Sequence, residues 1–270
     1  MFMEKAVTIR YSEPVLRLYC VADAHVGAAA CNEARIERLA GIIESDPYAR
    51  VIGGGDLIEA IAPDDRRWDP RELAEPASPE LLENLFYRQT LRFCKLMERT
   101  AGKWDGLILG NHEQTAVQKY YINPASIIAE RMGTRYVGAN EQCGWFRYVL
   151  EDKGKIRAQV RVFAIHGWGG GELRGGDALK LQRLLWKKGA DIILLAHVHR
   201  PMVFPETVET VDRQGRIVTE ERFGVINYPL VDRHGYLARR GGNSCPAGCA
   251  VIQIERLHDG CNISVELKSL

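Results

Sequence analysis

A chain of 270 residues, 46% hydrophobic and 26% charged, has the makeup of a soluble globular protein with a sizeable core. Its formal net charge of +1 gives no support to nucleic-acid binding by bulk charge. No apolar run approaches the roughly 20 residues of a membrane helix. Glu4, Arg10 and Glu13 interrupt the segment where a signal peptide needs unbroken apolar sequence, which points to the cytoplasm and away from a membrane.

In chain order, Val15–Val21 reads as a buried strand that runs straight into Ala22-Asp23-Ala24-His25. Glu33–Ile43 has helical spacing, with Ile36, Leu39, Ala40 and Ile43 on one face. Arg50-Val51-Ile52 rises as a strand into Gly53-Gly54-Gly55-Asp56. Ser78–Thr100 is predicted as one amphipathic helix, capped by Ser78 and with Pro79 in its first turn. Gly106–Leu109 is a short strand delivering Gly110-Asn111-His112-Glu113, and Pro124–Met132 is a helix ended by Gly133. Val160–Ile165 is a strand that ends at His166. Ala178–Lys188 is a helix, and Asp191–Ala196 a strand ending at His197. Beyond Pro201 the pattern turns to strands at Arg216–Thr219, Gly224–Tyr228, Ala250–Glu255 and Asn262–Leu267.

The same event recurs five times: a hydrophobic strand ends and Asp, His or Asn follows. In open α/β sheets, ligand sites gather beyond the carboxyl ends of strands, so these groups are predicted to share one crevice. The clusters are Asp23-Ala24-His25, Gly55-Asp56, Gly110-Asn111-His112-Glu113, His166-Gly167 and His197-Val198-His199. Carboxylate oxygen and imidazole nitrogen suit Mn²⁺, Fe or Zn²⁺. Taken singly, each His is more often a hydrogen-bonded core or loop residue than a ligand. Of seven histidines, however, five fall in these motifs and only His234 and His258 do not. Chance would not sort them so.

The remaining features carry less. Seven scattered cysteines, an odd number, make no disulfide framework. Cys245, Cys249 and Cys261 lack the four closely spaced soft ligands of a structural zinc site and read as small buried or loop residues. Arg67 and Trp68, in the run Asp64-Asp65-Arg66-Arg67-Trp68, are candidates to line a substrate mouth, against the plainer reading of a solvated charge run. Arg174 is a candidate phosphate contact, equally well an ordinary surface arginine. Arg239-Arg240-Gly241-Gly242 is a weaker one. The glycines at 169–171 and 175–176 suit a mobile lid or a loop, and Trp145 and Trp168 suit the core or a cover over the site.

The five clusters, in this order, resemble the calcineurin-like metallophosphoesterase superfamily, whose motifs run D-x-H, G-D, G-N-H-E, H and G-H-x-H. The resemblance spans Asp23 to His199. It implies that Asp23, His25, Asp56 and His199 hold one divalent metal, and that Asp56, Asn111, His166 and His197 hold the other, with the Asp56 carboxylate bridging. Mn²⁺ is the first expectation, with Fe, Zn²⁺ or Ni²⁺ as alternatives. It further implies hydrolysis of a phosphodiester or phosphomonoester by a hydroxide that bridges the metals, with His112 outside the ligand set as the catalytic group at the leaving oxygen. Ala196 stands where the family usually has Gly, a modest steric departure that touches no ligand.

Three subgroups are weighed. Gly144-Trp145-Phe146-Arg147, His166–Gly171 and Gly55-Asp56-Leu57-Ile58-Glu59 resemble phosphoesterases of phages and prophages, distantly similar to the superfamily's repair nucleases, which makes DNA or RNA a candidate substrate. Gly55–Ala60 and His197–Pro201 are also similar to the UDP-diacylglucosamine pyrophosphohydrolases of the lipid A pathway, but those carry Arg where this chain has His112. Serine/threonine protein phosphatases share G-N-H-E but continue the second motif as Val-Asp-Arg-Gly, unlike Leu57-Ile58-Glu59. The alternatives are therefore a small-molecule phosphodiesterase or nucleotide-sugar pyrophosphohydrolase and, in a different class, a non-catalytic scaffold. The fold that the resemblance implies is α/β: one domain over 1–270, two face-to-face mixed sheets flanked by helices in an αββα sandwich. Residues 61–100 and 113–160 are expected as helical or loop insertions, and 201–270 as strands completing the second sheet.

Overall fold

The computed structural model describes residues 6–138, 142–169, 173–211, 214–232 and 245–270. Eleven strands are present among them: β1 (Val7–Tyr11), β2 (Val15–Val21), β3 (Ala49–Gly53), β4 (Trp104–Leu107), β5 (Cys143–Asp152), β6 (Lys155–Ile165), β7 (Ile192–Leu195), β8 (Met202–Val211), β9 (Ile217–Ile226), β10 (Gly248–Arg256) and β11 (Cys261–Ser269). The α-helices are α1 (Glu33–Ser45), α2 (Pro79–Glu83), α3 (Leu85–Met97), α4 (Asn111–Tyr120), α5 (Pro124–Arg131) and α6 (Arg174–Lys188). None of the helices in the described residues is long and apolar enough to cross a membrane.

The strands form two mixed sheets, ordered β1-β5-β6-β7-β9-β8 and β11-β10-β2-β3-β4. Alternation along β2 shows how they stack. Leu16, Leu18, Cys20 and Ala22 face a core shared with Phe146, Tyr148, Val162 and Leu194 of the other sheet. Tyr19 and Val21 face the opposite way, against Ile36, Leu39, Phe93 and Ile128 of α1, α3 and α5. A strand buried on both faces reads as a continuous apolar run, as Val15–Val21 does. On the far side of the six-stranded sheet, Leu181 and Leu185 of α6 pack on Phe163, Ile193 and Leu195. Helix, sheet, sheet, helix is thus the layer order, the αββα sandwich expected.

Local sequence explains the element ends. The Asn32 side chain caps α1 by accepting the Arg35 N–H at 3.1 Å, and Ile36, Leu39 and Ile43 are fully buried, worth roughly 1.5–3 kcal/mol each. Ser78 caps α2 as expected, but the helix expected over Ser78–Thr100 is interrupted at Asn84, whose φ of −121° and ψ of 18° lie outside helical geometry. A single 3₁₀ turn, Glu98–Thr100, follows α3.

Two expectations of organisation are corrected. Residues 113–160 are not all insertion: α4 and α5 are followed by β5, which pairs in parallel with β1 and antiparallel with β6 inside the six-stranded sheet. The strands after Pro201 do not complete one sheet but divide between both. Hairpin β8–β9 extends the first sheet through parallel pairing of β9 with β7, while β10 joins the second by antiparallel pairing with β2. The expected strands at Arg216–Thr219 and Gly224–Tyr228 are a single strand, β9.

Cys249 and Cys261 sit at opposite ends of the β10–β11 ladder, facing Lys268 and Arg256 respectively. The glycines at 170–171, His234 and Arg239-Arg240-Gly241-Gly242 lie outside the described residues.

Candidate metal centre

Parallel pairing brings strand ends to one edge. β2, β3 and β4 run parallel, so the residues after Val21, Gly53 and Leu107 emerge side by side. In the facing sheet β6 and β7 are parallel, with Ile165 beside Leu195. The two edges meet where His166 Nδ1 lies 2.8 Å from the Gly54 carbonyl oxygen, a hydrogen bond from one sheet to the other. Backbone pairing also continues past the strands: the Asp23, His25 and Val26 N–H groups donate to the carbonyls of Gly55, Asp56 and Leu57 at 3.0–3.1 Å.

The chain is strained there. Asp23, His25, Asp56, His197 and His199 all have φ between 46° and 67°, the left-handed region that costs L-residues roughly 1–2 kcal/mol. Such conformations gather at functional sites because the surrounding structure must enforce them. Crowding enforces the turns as well. A Cβ added to Gly110 would fall 2.0 Å from Asp56 Oδ1, and one on Gly55 would fall 2.4 Å from the Gly110 nitrogen.

All seven expected ligands converge. His199 Nε2 lies 3.3 Å from Asp23 Oδ1, and His166 Nε2 lies 3.0 Å from Asp56 Oδ2. His25 Nε2 and His112 Nε2 each lie 3.9 Å from the same Asp56 oxygen. Among the described residues, three trios have candidate ligand atoms mutually within 4.8 Å: Asp23, His25 and His199; His25, Asp56 and His112; and Asp56, His166 and His197. Asp56 belongs to two of them. His112, expected outside the ligand set, lies edge-on to His25 with ring centroids 4.5 Å apart.

Charge follows from this crowding. Burial opposes ionisation of Asp56, but the imidazoles of His166 and His112 prevail and hold its carboxyl well below the usual range. Asp23 is likewise lowered, against burial, by His199. Burial would also lower the imidazole pKa values, yet Asp56 lifts His166 to about 10 and Glu59 lifts His25 to about 9. His197 goes the other way, to about 4, through burial and then the charge on His166.

Two observations test whether the residues suit a cation. The buried His25 Nε2 has no hydrogen-bond partner. The Asn111 amide has one end 2.8 Å from His197 Nδ1, 3.1 Å from His166 Nε2 and 3.2 Å from Asp56 Oδ2, and its other end 3.1 Å from Arg67 Nη1. Hydrogen bonding alone turns its NH₂ toward the three acceptors and its oxygen toward Arg67, while a cation among these atoms would turn the oxygen inward as a ligand. The donor set fits.

Residues that sequence reasoning left without a role hold the site together. The Glu113 carboxylate accepts the backbone N–H groups of Asp56, Leu57, Ile58 and Gly110 at 2.5–3.2 Å. Its position three residues after the start of the G-N-H-E turn is that of the acid in a capping box, a signal present in the sequence. The buried Gln89 of α3 accepts the Ala60 N–H at 2.9 Å and closes the turn that follows Glu59.

The three expected substrate contacts separate. Arg67 reaches the cluster: Asp65 grips it twice, at 3.1 and 2.9 Å, and its other nitrogen meets the Asn111 amide. Trp68 is half-buried against the helical core. Arg174 is exposed at the start of α6, close enough to Cys245 to oppose the rise that burial causes in its thiol pKa.

No protein-family profile and no curated protein matches this chain. Solved structures do. A conserved protein of Streptococcus pneumoniae described as a predicted phosphoesterase is 13% identical, covering 94% of this chain and 100% of its own, with a TM-score of 0.37. Vps29 of Entamoeba histolytica, solved with Zn²⁺, is 11% identical over 93% of this chain and 98% of its own, with a TM-score of 0.38. The NAD nucleotidase of Haemophilus influenzae is 9% identical over 93% of this chain and 49% of its own, also with a TM-score of 0.38. Likeness at this level transfers no activity to this chain.

Proposed function

We propose that this chain is a dinuclear-metal phosphoesterase. The observation that carries the reading is the convergence of Asp23, His25, Asp56, Asn111, His166, His197 and His199 from five strand ends, with the buried His25 Nε2 left without a hydrogen-bond partner among them. Asp23, His25, Asp56 and His199 would hold one cation, and Asp56, Asn111, His166 and His197 the other. Mixed oxygen and imidazole donors favour Mn²⁺, with Fe, Zn²⁺ and Ni²⁺ as competitors. When bound, the pair supplies Lewis-acid polarisation of a phosphoryl group and a nucleophilic water near neutral pH.

The chain's own residues supply the rest. His112 Nδ1 lies 2.6 Å from the Glu59 carbonyl oxygen and donates to it, which turns Nε2 toward the cluster. From there a protonated Nε2 can give its proton to a departing oxygen. Arg67, fixed by Asp65, would present its guanidinium to one side of a bound phosphoryl group. A phosphodiester of DNA or RNA is the substrate we favour, with a small phosphodiester, phosphomonoester or pyrophosphate next.

The experiment strips the protein with chelator, reloads it with Mn²⁺, Ni²⁺ or Zn²⁺, and measures metal content and turnover. Substrates are bis(p-nitrophenyl) phosphate, single- and double-stranded DNA, RNA, cyclic nucleotides and nucleotide-sugar pyrophosphates. Uptake of two ions with metal-dependent turnover is expected. A folded protein that takes up no metal and turns over nothing would be a scaffold instead. Intact nucleic acids beside a cleaved small ester would overturn the nuclease preference alone.

A further inference from the structure

Glu59 lies against the metal cluster yet belongs to neither set of four ligands. Its side chain is 16% exposed, and its Oε2 lies 2.9 Å from His25 Nδ1. Its backbone carbonyl oxygen lies 2.6 Å from His112 Nδ1. One residue therefore engages the outward nitrogen of two imidazoles, leaving both Nε2 atoms facing Asp56. The residue is itself fixed, because its N–H donates to the Val26 carbonyl at 3.0 Å. The next residue, Ala60, is held at a φ of 44° with its N–H on Gln89.

The contact with His25 is the informative one. A neutral imidazole has one N–H and one lone pair, and the partner of the first nitrogen decides which form the second takes. In the neutral ring that a cation requires, Glu59 accepting from Nδ1 places the lone pair of His25 on Nε2, the buried atom that has no partner in the protein. A carboxylate there also raises the basicity of the ring and stops its rotation, as carboxylates behind ligating histidines do.

We infer that Glu59 is a positioning residue: through Oε2 it sets the tautomer and orientation of His25, so that His25 presents Nε2 to one of the two cations. This rests on the proposed dinuclear site. It makes a selective claim, since His25 belongs to the trio with Asp23 and His199 and not to the trio with His166 and His197. Loss of the carboxylate weakens one cation and spares the other. A residue that merely stabilised the loop would weaken both together.

The test compares wild type, Glu59→Leu and Glu59→Gln. Chelator-stripped proteins are titrated with Mn²⁺ by calorimetry, and the histidine tautomers of the Zn²⁺-loaded proteins are read from long-range imidazole ¹H–¹⁵N correlations. In Glu59→Leu one binding step is expected to weaken about 10–100-fold, the range found when carboxylates behind ligating histidines are lost, and the other to stay within about threefold. The His25 signal should lose its fixed Nδ1–H form while His112, which donates to a backbone carbonyl, keeps its own. Glu59→Gln keeps the volume and an acceptor oxygen, so it is expected to lose less than about tenfold in the same step only; it carries the test if the leucine variant folds poorly. Wild type binding two ions while both variants bind them equally well, or lose both together, overturns the inference and leaves the phosphoesterase reading intact. Wild type binding none overturns both.

Discussion

The Glu113 carboxylate holds the backbone of Asp56: Oε2 accepts the Asp56 N–H at 2.9 Å and the Gly110 N–H at 3.0 Å, tying the two turns that carry Asp56 and Asn111. Burial and the nearby Asp56 push its pKa up to about 7, while four backbone N–H bonds favour the anion. Glu113→Ala leaves those buried donors without a partner and is expected to destabilise the protein by roughly 3 kcal/mol or more, read by urea unfolding. A loss under about 1 kcal/mol would show that water replaces the carboxylate.

Asp56→Asn removes the charge around which His25, His112 and His166 are arranged. Metal content is expected to fall from two ions to one or none, and turnover by more than about 100-fold. Plasma emission spectrometry of the dialysed variant measures the first. Two retained ions would show that this carboxylate does not bridge.

His112→Ala separates holding metal from assisting departure. The variant is expected to keep its metal and to lose about 10²–10⁴-fold in kcat on esters with alkoxide leaving groups. With p-nitrophenolate, which needs little help, the loss should shrink. An equal loss on both would point to a ligand role, which its place beside His25 and Asp56 makes worth excluding.

The pH response has a definite sign. His25 and His166 have folded pKa values of about 9 and about 10, raised above the ordinary value near 6.5. Their contribution to stability is fully present below the unfolded pKa and is lost as pH rises through 9 to 10. Metal-stripped protein should therefore lose this part of its Tm as pH rises from 7 to 10, and metal-loaded protein should not. His197, lowered to about 4, contributes above its unfolded pKa and loses that contribution as pH falls toward 4. At pH 7.5, cation uptake must displace the protons on His25 and His166. Calorimetry in two buffers of different ionisation enthalpy is expected to find close to two protons released. Release near zero would contradict the protonated imidazoles.

Gly110→Ala tests packing alone. Gly110 has a φ of −95°, which any residue adopts, so the obstacle is the new Cβ, 2.0 Å from Asp56 Oδ1 and 2.2 Å from the Asp56 backbone nitrogen. Metal affinity is expected to fall at least about tenfold, with the circular dichroism spectrum unchanged.

The convergence of the seven candidate ligands was legible because each follows a hydrophobic strand, so a one-dimensional pattern carried a three-dimensional meeting point. β2 and α1 were legible for a related reason, their apolar spacing being unambiguous. β8 was not: Pro205 interrupts it, and a proline argues against a strand unless the strand is an edge, as β8 is. α4 was hidden because the motif's chemistry overlies its first turn. Glu59 and Glu113 were quoted within motifs but given no role: Glu59 acts on a ring nitrogen that no spacing rule reveals, and the capping-box spacing of Glu113 points to the Gly110 N–H but not to those of Asp56, Leu57 and Ile58 on another turn.

Four of the seven proposed ligands follow β2, β3 and β4 of the five-stranded sheet, and three follow β6 and β7 of the six-stranded sheet. Between the sheets lies mostly apolar packing, which resists separation but, being non-directional, does little to fix how one slides on the other. A pair of dications seated across that seam would act as a rivet at one end of the sandwich. Bound metal would then reinforce an alignment of the two halves that, in the stripped protein, rests at that end on the bonds from His166 to Gly54 and from His197 to Asp23.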